Sequence, residues 1–149
     1  MIACTSLMLA ALLTPLQSGA PARGPLEMKT IEKGSDSAVE SAGQFTARTQ
    51  AEWRKLWRSH AWDRELPKVN FARDMVVAVF MGSRPTAGFM VEIVGTRQQG
   101  GTLIVEYRET PPRADALTAQ ILTAPYHVAA IPKFAGPVKF EKVEQAPDK

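Results

Sequence analysis

Hydrophobic positions follow three different patterns along this chain, and each predicts a different element. Val76-Val77-Ala78-Val79-Phe80-Met81 is apolar at every position. A continuous run of that length predicts a central strand covered on both faces. Phe89, Val91 and Ile93 instead alternate with Met90, Glu92 and Val94. Leu103, Val105 and Tyr107 alternate with Glu106 and Arg108. Period-two alternation predicts strands with one buried face. Trp53, Leu56, Trp57 and His60 recur at helical spacing, with Arg54, Lys55 and Arg58 mostly elsewhere. Thr49-Gln50-Ala51-Glu52 supplies a hydroxyl at the N-cap and a carboxylate three residues on, and Pro67 bars continuation.

Turn chemistry punctuates these runs. Gly34 to Ser37 predicts a turn, Gly82 to Gly88 a loop between two strands, and Gln98-Gln99-Gly100-Gly101 a hairpin. Leu26 to Lys33 has strand composition, but its alternation slips between Met28 and Ile31, which fits a bulge or an edge strand. Gln44 to Ala47 predicts a short strand. Extended chain resumes around Leu117 to Ile131, interrupted by Pro125. A last strand is expected over Val138 to Val143, before a polar tail from Glu144 to Lys149. The fold class is α+β: a mostly antiparallel β-sheet with one main amphipathic helix packed on it.

The N-terminus stands apart. Leu7 to Leu13 is an apolar run of signal-peptide size, and Ala20-Pro21-Ala22 places small residues two apart, so residues 1–22 read as a signal peptide cleaved after Ala22. No Lys or Arg precedes the run, and a buried N-terminal helix is the competing reading. Residues 23–149 then form a single domain with its core over about residues 45–143. The localisation expected is extracytoplasmic, periplasmic or secreted. Cys4, the sole cysteine, precedes the apolar run and would leave with it, so no disulfide or thiolate ligand is expected. Met1-Ile2-Ala3-Cys4 has the wrong order for a lipoprotein signal, whose apolar region comes before the cysteine. The run is too short to span a bilayer, and no transmembrane anchor is expected.

Composition adds little beyond this. The 149 residues are 45% hydrophobic and 22% charged, with a net charge of +3. Residues 1–22 contain no charged side chain, so cleavage leaves that balance unchanged. A nucleic-acid binder would be more basic and more clustered, and no nucleic-acid partner is expected. The chain lacks an H-E-x-x-H helix, a Cys/His cluster, an EF-hand loop, a G-x-S-x-G elbow and a phosphate-binding glycine loop. No metal, cofactor or catalytic residue is therefore assigned. His60 belongs to the Trp-rich face. His127 has no sequence neighbour that would orient it or serve as its nucleophile.

Topology supplies a candidate surface. If Met75–Met81, Phe89–Thr96 and Thr102–Glu109 form an antiparallel meander, parity brings the loop 82–88 and the loop from Thr110 to one edge. Arg84, Thr86, Pro111, Pro112 and Arg113 would then be neighbours. Tyr126 and His127 complete the candidate binding set, as recognition residues. Loops on a rigid scaffold are where binding residues concentrate, although Pro85, Gly88, Pro111 and Pro112 also serve simply to shape turns.

The strand block resembles the PrcB C-terminal domain family, named for a protease complex subunit. The resemblance rests on Trp53 and Trp57, on Asn70-Phe71, and on Met75–Gly82. It continues through Arg84-Pro85-Thr86-Ala87-Gly88-Phe89 and Tyr107–Pro112, and ends with Thr123–Val128 and Ile131-Pro132-Lys133. It covers roughly residues 45 to 135. The family usually has paired glycines and a tyrosine where this chain has Ala87-Gly88-Phe89. The resemblance implies a non-catalytic accessory or binding domain whose partner is another envelope or secreted protein, a protease among the candidates. A glycan- or lipid-binding envelope protein with a pocket beside Trp53 and Trp57 is the alternative. A small hydrolase using His127 is the third reading.

Overall fold

A computed structural model describes residues 25–145. The expected signal peptide and the end of the polar tail lie outside the described residues. Within them are β1 (Lys29–Gly34), β2 (Gly43–Ala47), α1 (Gln50–Ala61), β3 (Asp74–Phe80), β4 (Met90–Gln99), β5 (Thr102–Thr110), β6 (Tyr126–Pro132) and β7 (Val138–Lys142). They form two sheets, ordered β1-β6-β3-β2 and β4-β5-β7. All pairings are antiparallel except β5 with β7. The expected α+β class with one helix on a mostly antiparallel sheet is what the structure shows.

The apolar strand β3 lies at the interior of the first sheet, between β6 and β2. Its two faces serve two cores. Met75, Val77 and Val79 point toward the second sheet, among Val91, Ile93, Leu103, Val105, Ala129 and Ile131. Val76, Ala78 and Phe80 point toward α1, among Trp53, Leu56, Trp57, Tyr126 and Val128. Each large apolar side chain so buried contributes about 1.5–3 kcal/mol before chain entropy is subtracted. The helix begins as its capping residues require. Thr49 Oγ1 accepts from Glu52 N–H at 3.2 Å, and the Glu52 carboxylate accepts from Arg48 N–H at 2.7 Å. Trp53 and Trp57 bury their rings and donate their indole N–H groups to the carbonyls of Pro67 and Arg64.

The structure corrects the meander. β3 does not pair with β4, which belongs to the other sheet. A strand apolar on both faces needs neighbours and cover on every side, and the seven-residue loop 82–88 is long enough to cross between sheets. The hairpin expected at 98–101 joins β4 to β5, with Gln98 and Gln99 in the ladder and only Gly100-Gly101 in the turn. There Gly100 and Gly101 both take positive φ, 55° and 79°, as a two-residue hairpin requires. The last strand ends at Lys142 and runs parallel to β5. Residues Leu117–Leu122 are exposed loop, with regular strand beginning only at Tyr126. The slip in β1 is a bulge on an edge strand, with the register shifting between Thr30 and Glu32.

Candidate functional site

Three loops meet at one end of the two sheets. Arg84 and Thr123 exchange backbone hydrogen bonds of 2.7 and 2.9 Å, and Ala87 N–H donates to Ala119 O at 3.0 Å. The Thr123 hydroxyl donates to Thr86 O at 2.9 Å. Ser83 N–H reaches Glu40 O, and Ala124 N–H reaches Ser35 O. Gly88 has φ +93°, and a Cβ there would lie 2.8 Å from Pro112 Cβ and 3.2 Å from Thr118 Cγ2. Loops 82–88 and 111–124 are thus in contact, and the β4–β5 ladder alone accounts for it by setting Met90 opposite Thr110. Left-handed backbone and close approach coincide at both ends of loop 82–88, at Gly82 against Ala42 and Glu40 and at Gly88 against Pro112. Ala87 has ordinary negative φ, so a second glycine is not needed at this turn.

The predicted site residues divide. Arg84, Thr86, Pro111, Pro112 and Arg113 lie on this rim. Arg84 lays its guanidinium over the Phe89 ring at 5.7 Å, and its Nε is buried without a hydrogen-bond partner among the described residues. Arg113 is exposed and paired only with Asp115. Tyr126 and His127 are not accessible, at 1% and 2% exposure. Successive residues of β6 face opposite ways, so Tyr126 enters the helix-side core and His127 the space between the sheets.

His127 there closes a seam. Its Nδ1 accepts from Ile93 N–H at 2.8 Å, so the neutral ring carries its proton on Nε2, which donates to Thr30 Oγ1 at 2.9 Å. Burial, helped by the Lys33 charge and opposed by Glu92, depresses its pKa from 6.5 to about 4. One imidazole therefore joins β1, β6 and β4 across the two sheets. The hydrolase reading required His127 beside a carboxylate and a hydroxyl in a cleft; Thr30 supplies a hydroxyl, but the ring is buried and its other hydrogen-bond partner is a backbone amide rather than a carboxylate.

A second histidine cluster was not legible in the sequence. His60 Nε2 lies 3.2 Å from Glu32 Oε2, and Nδ1 lies 2.8 Å from Ser37 Oγ. Because a carboxylate only accepts, a neutral His60 donates from Nε2 and takes the Ser37 hydroxyl proton's hydrogen bond at Nδ1. Arg64 pairs with Glu32, approaches Tyr126 Oη at 3.4 Å, and covers the Trp57 and Tyr126 rings at 5.8 and 6.0 Å. Burial lowers the His60 pKa against the opposing pull of Glu32, and burial raises that of Tyr126. Ser37, His60 and Glu32 have the order of a nucleophile, base and orienting acid. However, the nearby N–H groups of Ser37, Ala38, Val39 and Ser83 all have acceptors already. None of those four is therefore free to serve as an oxyanion donor. The i, i+4 spacing of His60 and Arg64 was the only sequence signal, and it could not reveal Glu32 or Ser37 on other elements.

The sequence reading also missed the apolar tip of the rim. Leu117 is 105% exposed, Leu122 81% and Ile121 57%. They occupy the connection 111–125, which has no regular strand or helix. A connection this long without regular secondary structure is uncommon in a compact domain and is either functional or a linker segment. Elsewhere, an open hollow of about 340 Å³ lies between α1 and β2, walled by Phe45 and Leu56 rather than by the two tryptophans. Among the described residues there is no cluster of metal-ligating side chains, and no helix is long and apolar enough to cross a membrane.

Comparison with known proteins bears on the same region. Neither a curated protein nor a solved structure gives a significant match. The family model described as PrcB C-terminal matches residues 75–132, which run from β3 through the rim loops to the end of β6. Trp53 and Trp57, used above for the resemblance, lie before the matched segment. The strand block that frames the rim, residues 75–132, is thus a PrcB C-terminal-like segment.

Proposed function

We propose that this chain is an exported, non-catalytic accessory domain that binds another envelope or secreted protein through the rim formed by loops 82–88 and 111–124. The observation that carries this reading is the loop tip. Leu117, Ile121 and Leu122 stand in water on a loop pinned at Ala119, Thr123 and Pro112 by the contacts above. Apolar side chains grouped on a fixed loop lose little conformational entropy when a partner covers them, and exposed apolar groups of this kind mark interaction sites. The PrcB C-terminal match supports a protease-complex-associated accessory role, and the signal-like composition of residues 1–22 supports export.

A photo-crosslinking residue at position 117, in the native cell, tests the site against one at Lys139 on the far strand. One recurrent envelope protein, captured at 117 and not at 139, is expected. The same capture from both positions, or its survival when Leu117, Ile121 and Leu122 are all changed to serine, places the interface elsewhere.

A second reading has one observation in its favour. The hollow beside Phe45 and Leu56 is mostly apolar and could take the acyl or ring portion of a small envelope ligand. Leu56→Trp would fill it. If ligand uptake is the function, that change abolishes binding of a fluorescent fatty acid and leaves the crosslink at 117 intact.

A further inference from the structure

The outer edge of β2 is open. β2 ends the first sheet, with β3 on one side and no strand paired on the other. Two hydrogen bonds at the ends of β3 fix which way its backbone groups point. Arg73 O accepts from Lys133 N–H, and Met81 N–H donates to Pro125 O, both toward β6. Backbone direction alternates with period two, so Val76, Ala78 and Phe80 face β2. Their partners there are Ala47, Phe45 and Gly43. Gln44 and Thr46 therefore turn their N–H and C=O groups outward, and neither N–H has an acceptor among the described residues. Arg48, next in the same phase, gives its N–H to the Glu52 carboxylate rather than to the sheet. Gln44 is exposed and Thr46 half-buried, so this edge reaches solvent.

The hollow of about 340 Å³ lies along the same edge. Its helix wall is Glu52, Lys55, Leu56 and Ser59, which share one face at helical spacing. Its strand wall carries the Phe45 ring, 43% exposed although it packs edge-on against Phe80. Gln44 and Thr46 project their side chains from the opposite face of β2, where Gln44 reaches Tyr107 Oη. Thr46 nonetheless lines the hollow, which therefore extends to the strand edge. Lys55 is exposed on the helix wall and has no carboxylate partner among the described residues. The Glu52 carboxylate is already engaged by the capping bond.

We propose that an extended segment of the partner protein adds as a strand to the edge of β2, setting a large apolar side chain between Phe45 and Leu56 and a carboxylate on Lys55. An apolar hollow alone suits an acyl chain equally well. The unpaired N–H and C=O groups along its border are what a polypeptide satisfies and an acyl chain does not. Backbone bonds supply affinity in this mode of recognition, and the hollow and the charge supply selectivity. The edge starts beside the rim, since a Cβ on Gly82 would lie 2.7 Å from Ala42 N. The inference rests on the protein-binding reading, gives the same partner a second contact, and fills the hollow with peptide in place of a small ligand.

Selection from a displayed library of random octapeptides tests it on the folded chain. Enrichment of sequences with one large apolar residue and a nearby Asp or Glu is expected. A synthesised winner should slow hydrogen exchange at the Gln44 and Thr46 amides, while Phe45, already bonded to Ala78, changes little. N-methylation of the peptide's alternate amides should abolish binding in one phase and spare it in the other. Thr46→Pro removes an outward N–H without breaking the β2–β3 ladder, a position where an edge strand tolerates proline. It should weaken binding about tenfold. Lys55→Gln should weaken it about threefold.

No enrichment overturns the proposal. So does a selected peptide that leaves the Gln44 and Thr46 amides exchanging freely, or one that tolerates N-methylation in both phases, as an apolar ligand held by the hollow alone would. The crosslink at Leu117 is read separately. If it persists while every peptide result is negative, the rim reading stands and the strand-addition site does not.

Discussion

Two groups of three large apolar side chains in this domain meet opposite fates. Trp53, Leu56 and Trp57 are held against β3 by helical spacing, and all are buried. Leu117, Ile121 and Leu122 belong to a loop fastened at its ends and remain in water. The difference lies in backbone geometry. A helix satisfies its own N–H and C=O groups and can press one face into a core, whereas a loop with free backbone groups stays at the surface where water satisfies them. Apolar side chains on the helix stabilise the fold. On the loop they stabilise nothing within the described residues, which leaves them available to a partner.

That contrast can be broken most forcefully at Trp53. Trp53→Ala should cost about 3–5 kcal/mol, because it empties a fully buried site and strands the Pro67 carbonyl. Chemical denaturation measures it. A loss comparable to that of a surface change would mean that the helix is not the anchor of this core.

Acid tests the seam beneath the rim. The unfolded chain protonates His127 near its ordinary pKa of 6.5, while the folded chain resists until about pH 4. The His127 contribution is therefore intact above pH 6.5 and is lost as pH falls through that window, by about 3 kcal/mol in all. His60, also depressed by burial, adds to the slope in the same direction. His127→Leu should flatten part of the slope and lower stability at neutral pH, since Ile93 N–H then lacks its acceptor. An unchanged slope in denaturant titrations of that variant would remove His127 from the account.

Gly88 packs against the loop that carries the exposed tip. Gly88→Ala adds a Cβ at positive φ and within 2.8 Å of Pro112. A loss of about 1–3 kcal/mol is expected, with displacement of the 111–124 loop visible as shifted amide resonances at Ala119 and Thr123. Smallest in stability is the loop tip itself. The triple serine variant at Leu117, Ile121 and Leu122 should unfold within about 0.5 kcal/mol of the parent while losing the crosslinked partner. A large stability loss there would show that the loop packs inward, and the comparison drawn above would fail.

Much of the fold was legible because it depends on short-range pattern. The capping residues of α1 and the period of Trp53, Leu56, Trp57 and His60 specify a helix and its buried face. The alternation over Val91–Ile93 and Leu103–Tyr107, with Gly100-Gly101 between, specifies the β4–β5 hairpin, but not its register, which carries Gln98 and Gln99 in the ladder and a bulge between Ile93 and Gly95. The apolar run Val76–Phe80 specifies a strand covered on both sides. The rim was only partly legible. Parity brought the two loops together through a meander that does not exist, yet the β4–β5 pairing within it was sufficient. Tyr126 and His127 were grouped with the rim residues, whereas the β3–β6 ladder draws both into buried layers. Leu117–Leu122 was read as extended chain because apolar composition alone does not distinguish a strand from a loop that displays its leucines.

By itself the sequence determined local conformation: which segments extend, where the helix starts, which turns need glycine, and which faces avoid water. These follow from steric limits and from the periods of helix and strand, and they act over a few residues. Tertiary structure alone decided the division into two sheets, the parallel pairing of β7 with β5, the assembly of Glu32, Ser37, His60 and Arg64, and the hollow between α1 and β2. Those depend on contacts between residues far apart in the chain. Many pairings bury a similar amount of apolar surface, and packing and polar satisfaction across the whole domain select among them.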